Sequence, residues 1–368
     1  MSMEYKILPH GGEKLSRIGL ATGGQMFSMP YEDIVEGCNY AFDHGVNIVD
    51  FISHRGWVAQ AAAEAIRPRR KEIFMQTHFG IDYPNDQYTK IRDVDYVKGF
   101  IDRELKLLDT DYLDCGFIAN VDTMEDLEIC MAKGGLWDYM NELKDQGVMH
   151  HLGFSSHNVK MCNHLLDMGV FDLFMLSQNI AEDFQLAGNA LALNADRQHL
   201  FRRCEKEGVA ITTMKTFLGG KLLDARTSPF GVALTPYQCI KYNLDRPGIF
   251  SCMTGFSSLD NIKDVLGYCE ASEEQKDYSI ISRLTYENIQ DSCIYCDHCQ
   301  PCTAGLDISQ INKFRDLAEI GDTDALDHYK TLSVHASDCV ECGLCDERCP
   351  FHVNPSRKMK QAKEFFGY

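Results

Sequence analysis

From Arg17 onward, short apolar runs alternate with amphipathic stretches, and this alternation limits the possible folds more than any other feature of the chain. Strand-like runs are predicted over Arg17–Ala21, Val46–Phe51, Ile73–Thr77, Tyr112–Ile118, His151–Phe154, Leu173–Ser177, Ala210–Met214 and Phe250–Thr254. Between and after them, helices are predicted over Tyr31–His44, Gly56–Ile66, Val94–Leu108, Leu136–Gln146, Val159–Met168, Ala195–Glu207, Pro236–Leu244 and Leu259–Tyr268. Eight strands, most with a helix before the next, describe an α/β fold of the closed (β/α)8 TIM barrel type better than an open doubly wound sheet. Such a barrel builds its active site at the carboxyl ends of the strands, so the residues just after each run are the ones to question.

The apolar periodicity breaks at Ala271–Asp277, which sets the expected division at a barrel over residues 1–275 and a small domain over 276–368. Cysteines define the small domain. Cys293, Cys296, Cys299 and Cys302 form one run; Cys339, Cys342, Cys345 and Cys349, followed by Pro350, form another spaced C-x2-C-x2-C-x3-C-P. That spacing closes three thiolates on one iron-sulfur cube and sends the fourth to the neighbouring cube. Two [4Fe-4S] clusters are therefore expected, one on Cys293, Cys296, Cys299 and Cys349, the other on Cys339, Cys342, Cys345 and Cys302. Zinc competes, because paired C-x2-C units also make four-cysteine zinc sites, and disulfides are a third reading. The third cysteine at the same interval in each run suits a cluster corner better. Helices predicted over Tyr278–Asp291, Ile308–Leu317 and Asp324–Leu332 make this an α-helical two-cluster ferredoxin-like domain.

Charge and composition exclude other classes. The chain carries 54 acidic and 36 basic residues, a net charge of -18 that repels phosphate backbones and leaves no footprint for nucleic acid. Its start, Met1–His10, lacks an apolar segment, and no stretch reaches the roughly 18 apolar residues of a membrane span, so no membrane partner is expected. A cytoplasmic location keeps thiols reduced, which suits the eight further cysteines scattered singly among apolar neighbours.

Several segments carry a family resemblance: Leu15-Ser-Arg-Ile-Gly-Leu-Ala-Thr22, Gly45-Val-Asn-Ile-Val-Asp50, Thr110-Asp-Tyr-Leu-Asp114, Leu152-Gly-Phe-Ser-Ser-His-Asn158 and Met214-Lys-Thr-Phe-Leu-Gly-Gly220. The chain resembles the aldo-keto reductases, and within them the subgroup with a C-terminal ferredoxin-like extension. The resemblance implies reduction of a carbonyl by NAD(P)H with an Asp, Tyr, Lys and His at the strand ends. Only the Asp matches, at Asp50; the other three positions hold Arg55, His78 and Ala119. The polar set left at the strand ends is Asp50, His54, Arg55, His78 and Asn120, with His78 able to replace the tyrosine as acid. Arg55 cannot give up its proton but can bind a carboxylate or an oxyanion. His157, after the fifth strand, is a further site-lining candidate, whereas His150 and His151 fall at that strand's start. The resemblance also implies that Ser155, Ser156 and Gln178 hold a nicotinamide, with Lys215, Gly255, Ser257 and Ser258 toward its phosphates. No basic residue in that last loop marks a 2′-phosphate.

These readings favour an iron-sulfur oxidoreductase acting on a small carbonyl or hydroxyl compound in an anaerobic cytosol, with NAD(P), the clusters, or both supplying electrons and a redox protein as a possible partner. Two alternatives remain. One is an electron-transfer protein whose barrel is not catalytic; the other is a lyase or isomerase using Asp50 and His78 for acid-base work.

Overall fold

The computed structural model describes residues 3–52, 56–84, 88–187, 190–283, 293, 295–319 and 323–368. Eight parallel strands close into a barrel in chain order: β1 (Ile18–Ala21), β2 (Ile48–Phe51), β3 (Phe74–Phe79), β4 (Leu113–Ile118), β5 (Met149–Ser156), β6 (Leu173–Ser177), β7 (Ala210–Met214) and β8 (Ile249–Thr254). All eight predicted strands are present. Their near-continuous apolar character follows from burial on both faces, one toward the lumen and one toward helices. The principal helices are α1 (Tyr31–Asp43), α2 (Gly56–Ile66), α3 (Val94–Leu108), α4 (Leu136–Asp145), α5 (Val159–Asp167), α6 (Ala195–Glu207), α7 (Pro236–Leu244) and α8 (Leu259–Leu266). A short helix at Met124–Met131 and the hairpins Tyr5–Ile7/Lys14–Ser16 and Phe184–Ala187/Ala190–Leu193 add to the predicted set.

Strand register decides what the lumen holds. Ile48, Phe74, Cys115, Phe117, Leu173, Met175, Ala210, Phe250 and Met253 cluster with Leu8 and Leu15, so much of the interior is dry packing. Glycines make room for the large members: a Cβ on Gly153 would lie 2.3 Å from the Phe117 ring, and one on Gly19 2.4 Å from the Met253 sulfur. Close packing of this kind leaves polar chemistry to the next inward positions along the strands, which include Asp50 and His78.

Chain contacts divide the protein into two compact units. The first comprises Met1–Asp82, Lys90–Phe217 and Leu234–Arg283; the second comprises Tyr83–Thr89, Leu218–Ala233 and Leu284–Tyr368. The barrel unit thus runs beyond the boundary expected at residue 275. Its extension is tied down by hydrogen bonds: Ser272 caps the one-turn helix Glu273–Lys276, Gln238 Nε2 donates to Asp277 O at 2.8 Å, and Tyr278 Oη donates to Asp245 Oδ2 at 2.9 Å. Polar side chains broke the apolar pattern there without ending the fold.

The second unit is built on α9 (Ile308–Glu319), α10 (Thr323–Lys330) and α11 (Pro355–Phe366), packed through Leu306, Ile308, Ile311, Tyr329, Met359 and Ala362. Of the helix predicted over 278–291, Ser279–Arg283 forms a 3-10 turn and residues 284–291 lie outside the described set. Among the described residues, no helix is long and apolar enough to cross a membrane.

Candidate active site and cysteine cavities

Parallel pairing sets Asp50 of β2 beside Gln76 of β3, and the two-residue period of a strand brings His78 to the same face. Asp50 Oδ1 accepts hydrogen bonds from His78 Nε2 at 2.8 Å and from Gln76 Nε2 at 3.2 Å. All three are buried, with His78 only 1% exposed. The backbone holds the carboxylate's strand in place, since Thr22 donates to Asp50 O through both its amide and its hydroxyl. The His78 ring meets Phe117 edge-on at 5.4 Å, which fixes its plane. Its other nitrogen, Nδ1, is buried and has no hydrogen-bond partner among the described residues. An imidazole with one nitrogen on a carboxylate and one left over is oriented for proton transfer at the second. His54 and Arg55 lie outside the described residues.

Asn120 follows β4 in a left-handed conformation with φ of 52°. Its amide donates to Ser155 Oγ at 2.9 Å, and that hydroxyl returns a bond to Asn120 Oδ1 at 3.4 Å. Ser156 Oγ donates to Asp122 Oδ1 at 2.9 Å, and Asp122 also binds the His157 amide and Nδ1. Asn120 and Ser155 therefore form a linked pair, and Ser156, His157 and Asp122 form another.

Gln178 is wholly buried after β6. Its Oε1 accepts from Arg197 Nη2, and its Nε2 donates to Asp183 Oδ2 at 2.8 Å. Arg197 Nε and Tyr242 Oη also donate to Asp183, each at 2.8 Å. Burial opposes the Arg197 charge, but Asp183 and Glu182 outweigh it and hold the guanidinium above its ordinary value. Burial and Asp183 together push the Tyr242 phenol up. The sequence reading missed Asp183, Arg197 and Tyr242; the clue it offered was a carboxylate five residues past Gln178, with the arginine in the first turn of a helix.

On the neighbouring strand, Lys215 follows β7 at φ of 65°, half-buried, with no ion-pair partner among the described residues. A Cβ on Gly255 would lie 2.2 Å from Gln25 Oε1, so the Gln25 side chain packs over that backbone. Ser258 caps α8 by accepting from the Asn261 amide at 3.2 Å, and Ser257 donates to Asn261 Oδ1 at 2.7 Å. This donor set fits a nicotinamide nucleotide at its phosphates, through Lys215 and the α8 amino end. It does not fit at the carboxamide, because Ser156 and Gln178 spend their polar atoms within the protein.

The sequence profile of the aldo/keto reductase family matches residues 18–237, which covers β1 to the start of α7. The chain belongs to the aldo/keto reductase family. It is similar to the aldo-keto reductase YhdN of Bacillus subtilis, 26% identical over 166 residues that make up 43% of this chain and 48% of that protein. The match thus spans about half the length of that curated relative. Among solved structures, the holo aldo-keto reductase AKR11C1 of Bacillus halodurans aligns with a TM-score of 0.60 at 18% identity, over 76% of this chain and 96% of the other. An aldo/keto reductase of Klebsiella pneumoniae, solved with NADP and acetate, aligns with a TM-score of 0.53 at 13% identity, over 77% and 95%. At these identities the structural likeness shows the fold.

Beyond the stretch matched to the aldo/keto reductase family, the tail cysteines line two cavities. One, of about 330 Å³, has Cys293, Cys296, Cys299 and Cys349 in its wall. The other, of about 370 Å³, has Cys302, Cys339, Cys342 and Cys345, with Cys299 between the two. The first cavity therefore draws three cysteines from the first run and one from the second, and the other draws three from the second run and two, Cys299 and Cys302, from the first. Tyr295 donates its amide to Cys293 Sγ at 3.4 Å, and Thr303 Oγ1 lies 3.4 Å from Cys342 Sγ. Among the described residues, no three His, Cys, Asp or Glu side chains converge as on a single metal ion. The four thiols of each expected set line one cavity, a donor set of the kind a cube would use.

Proposed function

We propose that this chain is an iron-sulfur oxidoreductase of the aldo-keto reductase type, acting on a small carbonyl or hydroxyl compound. The lining of two cavities carries the reading, one by Cys293, Cys296, Cys299 and Cys349, the other by Cys302, Cys339, Cys342 and Cys345 together with the shared Cys299. Cys293, Cys296, Cys299 and Cys349 would hold one [4Fe-4S] cluster, and Cys302, Cys339, Cys342 and Cys345 the other; bound clusters supply electrons singly. Cys342 is exposed, as is its neighbour Val340 at 65%, which supports access for a redox partner protein at that cavity.

Within the barrel the chain's own residues handle the proton. Asp50 as a carboxylate only accepts, so the hydrogen between it and His78 sits on Nε2, leaving Nδ1 for substrate. Charged, the ring donates from Nδ1 to a carbonyl oxygen; neutral, it takes the proton of a hydroxyl, and Asp50 holds the ring in place. Gln76 holds the same carboxylate oxygen and keeps it aimed. Arg55 is the proposed binder of a substrate carboxylate, with His54 and Asn120 as further contacts. The NADP of the Klebsiella relative supports a nicotinamide nucleotide as a candidate here, met by Lys215, Gly255, Ser257 and Ser258 at its phosphates; Ser155, Ser156 and Gln178 would serve it only after rearrangement.

Anaerobic purification followed by metal and sulfide analysis tests the reading. Brown protein with about eight iron and eight sulfide per chain is expected. Colourless protein carrying zinc would sink it. Cys349→Ser should strip the cluster of the first run and spare that of the second; the reverse result would show that ligation is not crossed.

A further inference from the structure

Lys221, in the second unit, is only 7% exposed. Its Nζ donates to Asp316 Oδ2 at 3.0 Å and lies 5.0 Å from the centre of the Tyr295 ring. Tyr295 joins this ion pair to the cysteines: its hydroxyl donates to the same Asp316 oxygen at 2.7 Å, and its amide donates to Cys293 Sγ. Arg315 Nη2 donates to Asp316 Oδ1 at 2.9 Å, and Glu319 reaches Arg315 only from an exposed position. The buried group thus holds two cations against one carboxylate, a single residue away from a cavity thiol. Burying a lysine costs more than burying an apolar side chain of similar size, so packing alone does not account for it. At the other cavity Cys342 is exposed and Asp346 lies beside Cys345, and the cation acting on Cys342 is the exposed Arg348.

Potentials of iron-sulfur clusters follow local net charge, hydrogen bonds to sulfur and exposure. We propose that Lys221 sets the redox potential at the cavity of Cys293, Cys296, Cys299 and Cys349, raising it so that this cluster holds its electron more firmly. The inference rests on the cluster reading above. Reduction adds one negative charge, which a fixed cation stabilises and a fixed carboxylate opposes. Lys221 and Asp316 should therefore act with opposite signs, although each supports the same structure.

Redox titration of the anaerobically purified full chain, followed by electron paramagnetic resonance, reads the clusters. Lys221→Met should lower the midpoint of one cluster by roughly tenfold in its reduction constant, about 59 mV for one electron, and leave the other unmoved. Asp316→Asn should raise the same midpoint, and Lys221→Arg should keep the wild-type value. Lys330→Met, which removes an exposed cation paired with Asp327, should shift neither. Unchanged midpoints, or shifts of one sign for Lys221→Met and Asp316→Asn, would overturn the inference and leave the clusters standing. Loss of a cluster in Lys221→Met, with Asp316→Asn at the wild-type midpoint, would overturn it as well. Wild-type protein without iron and sulfide would remove both.

Discussion

Two buried polar groups at the carboxyl ends of the barrel strands use similar parts to different ends. Around Asp183, the guanidinium of Arg197, the amide of Gln178 and the hydroxyl of Tyr242 satisfy one another. Around Asp50, Gln76 and His78 both bond Oδ1 of the carboxylate, yet Nδ1 of His78 and Oε1 of Gln76 remain without partners among the described residues. Completeness is the difference that matters. A closed network contributes stability and has nothing to offer a ligand, whereas one with a spare nitrogen has paid for orientation and kept a reactive atom.

Breaking the closed network should cost the most. Arg197→Ala leaves the wholly buried Asp183 without its cation, and denaturant unfolding should show a loss of about 3–5 kcal/mol. If stability were unchanged, Asp183 would not be a structural anchor. His78→Gln should do the converse: it keeps a donor for Asp50 and removes the imidazole, so turnover should fall by at least ~100-fold while the melting temperature stays near wild type. Full turnover in that variant would return the Asp50 group to structure.

The smallest effect concerns a histidine far from both. His151, at the start of β5, bonds Asp172 through Nδ1 and Glu13 through Nε2, each at 3.1 Å. Burial opposes its charge, but these two carboxylates outweigh burial and raise its pKa above the ordinary 6.5. Its stabilisation is therefore fully present below that value and is lost as pH rises through the raised one. His151→Gln should flatten this part of the stability profile, with no change in turnover if the contact is structural.

Much of the barrel could be read along the chain because β2, β6 and β8 are apolar runs whose burial on both faces needs no knowledge of their neighbours. Asp50 was readable for a related reason, as a charge ending such a run. Gln178 was not: its residue type suits a cofactor contact, and only the fold reveals that Arg197, 19 positions on, has already claimed it. The first unit runs on to Arg283, past the expected boundary at 275, and within the polar run Ser272 and Gln275 form a capping box.

By itself, the sequence determined the strand count, the two cysteine runs and the carboxylate at the end of β2, because each depends on spacing or polarity within a few residues. Tertiary structure alone decided that Cys299 borders both cavities, which polar atoms are already spent and which nitrogen of His78 is spare. Those outcomes depend on groups distant in sequence arriving at one place, and a hydrogen bond, once made there, is no longer available to a ligand.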